Sequence, residues 1–162
     1  MIRLAEKKDC INLTVLSIQV WLETYAIEGI KTEYSKYVIA TFTEKYFLDL
    51  LTNSQYRLIV SVSEETLQAF VLVNLTSKFE EHNYGFEIEK LYVHSHFKGK
   101  GLGRRLLSEV EKKFGKPFWL YTWVENESNK FYKHLGFKMV GQLHFQFANS
   151  LIENNVYAFV RE

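Results

Sequence analysis

Glycine crowds into one short stretch, "HFKGKGLGRRLL", where Gly99, Gly101 and Gly103 stand beside Lys98, Lys100, Arg104 and Arg105. An apolar, strand-like run precedes it, and an amphipathic charged run, "LLSEVEKKFG", follows. The glycines therefore lie between a strand and a helix start. A helix start leaves backbone N–H groups without partners and carries partial positive charge, and a loop without β-carbons lets a phosphate approach those donors. The stretch reads as a phosphate cradle, or as a tight strand-to-helix turn without a ligand. A nucleotide P-loop needs Gly-Lys followed by Ser or Thr, whereas Gly99-Lys100 and Gly115-Lys116 are followed by Gly101 and Pro117. A dinucleotide fingerprint starting at Gly99 fails at Arg104, where it needs a third glycine.

Other reactive side chains give weaker patterns. Cys10 is the single cysteine; entering an apolar helical pattern, it reads as a small buried hydrophobe rather than a nucleophile. His94 and His96 form an H-x-H pair at a strand end with no third ligand nearby, so they read as surface residues and no metal is expected.

The elements that must position the loop follow from periodicity. "IRLAE" reads as a strand, and "DCINLTVLSIQVWLETYA" as a helix whose apolar stripe is Ile11, Val15, Ile18 and Leu22. "SKYVIATFTEKYFLDLLT" reads as one second helix, capped by Ser35, with Val38, Phe42, Tyr46 and Leu50 on a stripe. "YRLIVSVSE" and "TLQAFVLVNL" read as a hairpin. In the next strand, "GFEIEKLYVH", alternation puts Phe86, Ile88 and Lys90 on one face and Glu87, Glu89, Leu91 and Val93 on the other. After the loop and its helix come a strand "PFWLYTWV", a helix "NESNKFYKHLG" closed by Gly136, and two last strands, "FKMVGQLHFQF" and "NNVYAFVRE". The order β-α-α-β-β-β-α-β-α-β-β predicts an α/β fold, a mixed twisted sheet of about seven strands with helices on both faces. No repeat or proline-rich linker divides the chain, so residues 1–162 are expected to form a single domain.

With these elements in place, "LYVHSHFKGKGLGRRLL" resembles the cofactor motif of the Gcn5-related N-acetyltransferases (GNAT), Gln/Arg-x-x-Gly-x-Gly/Ala after a strand. Lys98, Gly101 and Gly103 fill it, with lysine where Gln or Arg is usual. A second signature of that family, an Asn, then a helix carrying Tyr, then Gly-Phe, is matched by "ENESNKFYKHLGF" through Asn126, Tyr132, Gly136 and Phe137; Asn126 is one residue closer to Tyr132 than is commonest. The likeness covers essentially the whole chain. Within the family, "WLETY", "IEKLYV" and "KGKGLG" are most similar to the bacterial PaiA-like polyamine acetyltransferase branch.

The resemblance implies a GNAT fold and acetyl-CoA as cosubstrate. Its pyrophosphate would lie on the N–H groups of Lys98, Gly99, Lys100 and Gly101, continuing to Leu102, Gly103 and Arg104. Leu91, Tyr92 and Val93 would run beside the pantetheine arm, with Asn126 and Tyr132 closing on the cofactor. Tyr132 would return a proton to the departing thiolate. An alkylamine is protonated at neutral pH, its pKa being about 10.4, so a base is needed, and Glu87 or Glu89 would take the proton through water. Taken alone, Tyr132 reads as a packing residue and the two glutamates as exposed charges.

Lys and Arg number 20 against 19 Asp and Glu. That balance gives no global field for nucleic acid or an anionic membrane. No run approaches the roughly 18 uncharged apolar residues of a membrane helix, and "MIRLAEKKDC" lacks a signal-peptide core. The expected location is the cytoplasm. The expected activity is acetyl-CoA-dependent N-acetyl transfer directly to a small primary amine, with Glu23, Glu28, Glu87 and Glu89 suited to a polyamine such as spermidine or spermine. A protein N-terminal or lysine acetyltransferase and a non-catalytic CoA-binding sensor remain as alternatives, and a homodimer is open.

Overall fold

A computed structural model of the protein describes residues 1–160. Its strands are β1 (Ile2–Leu4), β2 (Tyr56–Ser63), β3 (Thr66–Asn74), β4 (Phe86–Val93), β5 (Phe118–Trp123), β6 (Lys138–Phe147) and β7 (Ser150–Phe159). Its helices are α1 (Cys10–Tyr25), α2 (Thr32–Thr41), α3 (Glu44–Thr52), α4 (Leu102–Phe114) and α5 (Ser128–His134). Arg161 and Glu162, assigned above to the last strand, lie outside the described residues.

The strands form one seven-stranded sheet in the order β1-β2-β3-β4-β5-β7-β6. β4 and β5 are parallel and the other neighbours antiparallel. A parallel pair needs a crossover, and α4 supplies it. Alternation along β2 and β3 divides the core. Ile59, Ala69, Val71 and Val73 pack with Leu102, Leu106, Leu107 and Val110 of α4. Leu58, Val60, Phe70 and Leu72 pack on the other face, against Cys10, Leu13 and Leu16 of α1 and Phe47 and Leu50 of α3. The expected mixed sheet with helices on both faces is thus present.

Two helical expectations need correction. Ile11 and Val15 do not face the core; they are 52% and 58% exposed, and the buried residues of α1 are Cys10, Leu13, Thr14, Leu16, Ser17 and Trp21. Ile18 and Leu22 instead pack sideways with Val38 and Phe42. Because α1 touches both the sheet and a neighbouring helix, it is apolar on more than one side, and its strongest four-residue spacing marks the wrong stripe. The predicted second helix is in fact two. It breaks at Phe42, whose backbone is extended, and restarts where Thr43 Oγ1 accepts from the Tyr46 N–H at 3.0 Å. Ser35, read as the N-cap of that helix, lies inside α2, whose N-cap is Lys31, and Thr43 caps α3. The predicted stripe survives the break: Val38, Phe42 and Leu50 are buried and Tyr46 half-buried.

Candidate active site

β4 decides the geometry. Opposite it on β3, Val73 pairs with Ile88 and Leu72 with Lys90, so Glu89 is an extra residue in a β-bulge. A bulge shifts the alternation by one residue and bends its strand. Phe86 and Ile88 pack with the α4 side before it, and Leu91 and Val93 join that same side after it. Lys90 and Tyr92 go to the opposite side, Lys90 Nζ standing 5.8 Å from the Phe42 ring centre and Tyr92 packing edge-on to Phe70. Glu87 and Glu89 therefore do not share a face with Leu91 and Val93, and Lys90 does not share one with Ile88, contrary to simple alternation.

The same bend opens the sheet. β4 and β5 pair only at Phe86 with Phe118 and Glu87 with Trp119. Beyond Glu87 the edge of β4 that faces β5 has no strand partner among the described residues, and a cleft of about 700 Å³ fills the gap. Unpaired main-chain donors and acceptors along a strand edge suit an extended, amide-bearing chain.

At one end of this cleft lies the glycine loop. A short 3₁₀ turn, Ser95–Phe97, leads into it, capped by His94, whose Nδ1 accepts from the His96 N–H at 3.2 Å. His94 is thereby placed in a structural role, and among the described residues no cluster of three or more metal-ligating side chains occurs. Gly101 is the N-cap of α4, with φ of 83°. The first helical bond runs from the Arg105 N–H to the Gly101 carbonyl at 3.0 Å. Among the described residues, the N–H groups of Gly99, Lys100, Gly101, Leu102, Gly103 and Arg104 have no acceptor. A β-carbon at Gly99 or Gly101 would meet nothing within 4 Å, but both have positive φ. Gly103 differs, since its β-carbon would come within 3.1 Å of the Phe131 ring. Two glycines thus serve the backbone shape and the third serves packing. A run of free donors at a helix start fits a pyrophosphate. Lys98, Gly99, Gly101, Leu102 and Gly103 line the cleft. The side chains of Lys100 and Arg104 do not: Lys100 Nζ lies 5.3 Å over the Phe97 ring, and Arg104 is exposed on α4.

Leu91, Tyr92 and Val93 form the β4 wall, and Asn126, Ser128, Phe131 and Tyr132 the wall on the β5 and α5 side. Tyr132 is 7% exposed, and its hydroxyl makes no hydrogen bond among the described residues. Burial pushes its pKa upward, so it stays protonated at neutral pH. Asn126 spends its carbonyl oxygen on the start of α5, accepting from the Ser128 N–H at 3.0 Å. Asn129 received no role from the sequence, yet it anchors this helix. Its amide donates to the Trp123 and Asn126 carbonyls at 2.9 and 2.7 Å, and its oxygen accepts from the Tyr157 hydroxyl at 2.7 Å.

The far end is aromatic. Trp21, Tyr25, Tyr37, Phe42, Tyr121, Phe145 and Phe147 line it, with Asn154, Glu89 and Lys90 among them. Trp21 is the hub, its ring centroid 4.8 Å from Tyr25, 4.9 Å from Tyr37 and 5.7 Å from Phe147. Trp21 and Tyr25 belong to the "WLETY" segment singled out in the sequence. Lys90 was missed, although a lysine in register with Phe86 and Ile88 signals that alternation fails there.

Of the two candidate bases, Glu89 lines the cleft and Glu87 does not. Glu87 is 6% exposed and accepts from Ser77 Oγ at 2.7 Å. Burial, aided by the nearby Glu89 charge, raises its pKa against the opposing pull of that hydrogen bond. Glu89 Oε2 lies 3.4 Å from Asn74 Nδ2. Glu23 and Glu28, the other carboxylates suggested for a polyamine, are exposed and outside the cleft wall.

A family profile described as an acetyltransferase (GNAT) domain matches residues 55–139. The L-methionine sulfoximine/L-methionine sulfone acetyltransferase of Salmonella typhimurium is 27% identical over 148 residues, covering 88% of this chain and 82% of that protein. Among solved structures, the PaiA N-acetyltransferase of Thermoplasma acidophilum in complex with coenzyme A superposes with a TM-score of 0.74 at 21% identity, covering 95% of this chain and 96% of that one. YncA of Salmonella typhimurium, solved with acetyl-CoA, gives 0.64 at 24% identity over 98% and 92%. The matched profile spans strands β2 to β5, the glycine loop and α5, which include the β4 and α5 walls beside that loop, and on the strength of that match the chain belongs to the Gcn5-related N-acetyltransferases.

Proposed function

We propose that residues 1–162 act as one domain that moves an acetyl group from acetyl-CoA directly to a small primary amine, both substrates meeting where β4 and β5 part. The observation that carries this reading is the single continuous cleft, with a cradle of free N–H groups at one end, an unbonded tyrosine hydroxyl in its wall and an aromatic chamber with a carboxylate at the other. Acetyl-CoA supplies the acetyl group as an activated thioester. The loop from Lys98 to Arg104 holds the diphosphate through main-chain donors. The open edge of β4 at Leu91, Tyr92 and Val93 orients the arm and offers a donor to charge developing on the acetyl oxygen.

Glu89 takes the proton that the attacking amine must lose, through water, since it is the candidate carboxylate that reaches the cleft. Glu87 stays in support, buried against Ser77. Tyr132 returns a proton to sulfur as the C–S bond breaks. Of the four carboxylates behind the polyamine reading, Glu89 alone lines the cleft, and Lys90 lines it too, so that reading rests on one residue.

A thiol-release assay with acetyl-CoA tests this against spermidine, spermine, free amino acids, aminoglycosides and peptide N-termini. Release that depends on a small amine is expected. Coenzyme A binding without release for any amine would make the protein a sensor, and release with peptides alone would make it a protein acetyltransferase.

A further inference from the structure

Lys90 has been turned into the acceptor end of the cleft by the bulge, and its ammonium finds little there to bond. The side chain is 16% exposed, and Nζ stands 3.9 Å from Glu89 Oε1, beyond hydrogen-bond reach. Among the described residues it makes no hydrogen bond, and its other close neighbour is the face of the Phe42 ring. An ammonium carries three donors, and burying them without acceptors costs free energy. Desolvation pulls the Lys90 pKa down against the opposing influence of Glu89 and Glu87. In the open cleft, water is the only other source of acceptors for these donors among the described residues. A molecule that fills the cleft expels that water and has to supply an acceptor itself.

The pair also sets a pattern. A positive and a negative head stand side by side against the aromatic walls of Trp21, Tyr37 and Phe42. A polycation meets repulsion from Lys90 wherever it approaches Glu89. A molecule with an ammonium and an anionic group on neighbouring atoms meets a partner for each.

Resting on the acetyl-transfer reading above, we propose that the acceptor is a zwitterion, a free α-amino acid or an analogue with an acidic group next to its amine. Its anionic group is held by Lys90 Nζ, its amine lies toward Glu89, and its side chain lies along the aromatic wall. Lys90 is then the residue that selects the acceptor. Transfer forms the amide C–N bond and breaks the thioester C–S bond; the ammonium loses one proton through water toward Glu89 and on to solvent before attack, Tyr132 gives its proton to the thiolate, and the second nitrogen proton, lost as the adduct collapses, restores Tyr132.

The test is calorimetry on protein saturated with coenzyme A, which has no acetyl group to transfer. The probes are the free L-α-amino acids, their amides and spermidine. At least one free acid is expected to bind tenfold or more tightly than its amide. Lys90→Met should bring that acid down to the affinity of its amide, and Lys90→Arg should keep the preference. Acids and amides binding alike, spermidine binding more tightly than every acid, or Lys90→Met weakening acid and amide equally would overturn the proposal. Repeating the series with acetyl-CoA separates the two readings. Acids that bind with the preference yet are never acetylated would overturn the transfer reading alone, whereas amides acetylated as efficiently as acids would overturn the role of Lys90 alone.

Discussion

Tyr132 combines a buried ring with a hydroxyl that makes no hydrogen bond among the described residues, and it does so in the wall of a cleft. Removing the hydroxyl alone leaves the packing against Phe131, Phe137 and Tyr157 in place. Tyr132→Phe is therefore expected to lower turnover by about a hundredfold, the usual scale of general acid catalysis, with little change in acetyl-CoA affinity. Unaltered turnover would leave water as the acid. Glu87 makes a stability prediction. Its carboxyl is raised above the ordinary value of 4.5 by burial, so the folded state holds its proton when the unfolded chain has lost it. Its contribution is present below that value and is lost as pH rises through the folded pKa. Glu87→Gln can still accept from Ser77 and cannot ionise. The variant should gain on the wild type between pH 4.5 and neutrality in denaturant unfolding series, and a gap that does not change with pH would contradict the assignment. The resemblance, not residue type, marked Tyr132; residue type showed the glycines and the glutamates. It did not show which glutamate reaches the cleft, because that depends on a single inserted residue in β4.

Two elements carry the site, the bulged strand and the loop that follows it. The loop was legible because positive-φ glycines before a charged helix leave a compositional trace. The bulge was not, because alternation presumes regular pairing and register belongs to the partner strand. The division between α2 and α3 was missed for a related reason: the apolar stripe runs through the break, and only the cap at Thr43 marks it. The loop yields the element-scale prediction. Gly101 has open space around it but a φ of 83°, so a β-branched side chain there strains the turn and projects toward the free donors. Gly101→Val should weaken coenzyme A binding roughly tenfold or more, about 1.4 kcal/mol, in a protein that still unfolds cooperatively. Unchanged affinity in the folded variant would move the diphosphate away from this loop.

Across the whole molecule, the order of elements along the chain was the most legible feature, since most elements announce themselves by period, whereas the position of β7 between β5 and β6 in the sheet was not read from the sequence. The shape of the acceptor chamber was not legible. It gathers Trp21 from α1, Tyr37 from α2, Tyr121 from β5 and Phe147 from β6, residues far apart in sequence that meet only because β4 and β5 separate. On the proposed function, the same separation would bring both substrates into one space, and direct transfer is the chemistry that such an arrangement allows. Initial rates with acetyl-CoA and the best amine both varied test this most directly. Lines that intersect in double-reciprocal plots, with one N-acetylated amine formed per thiol released, are the predicted result. Parallel lines, or thiol release that proceeds without any amine, would contradict it.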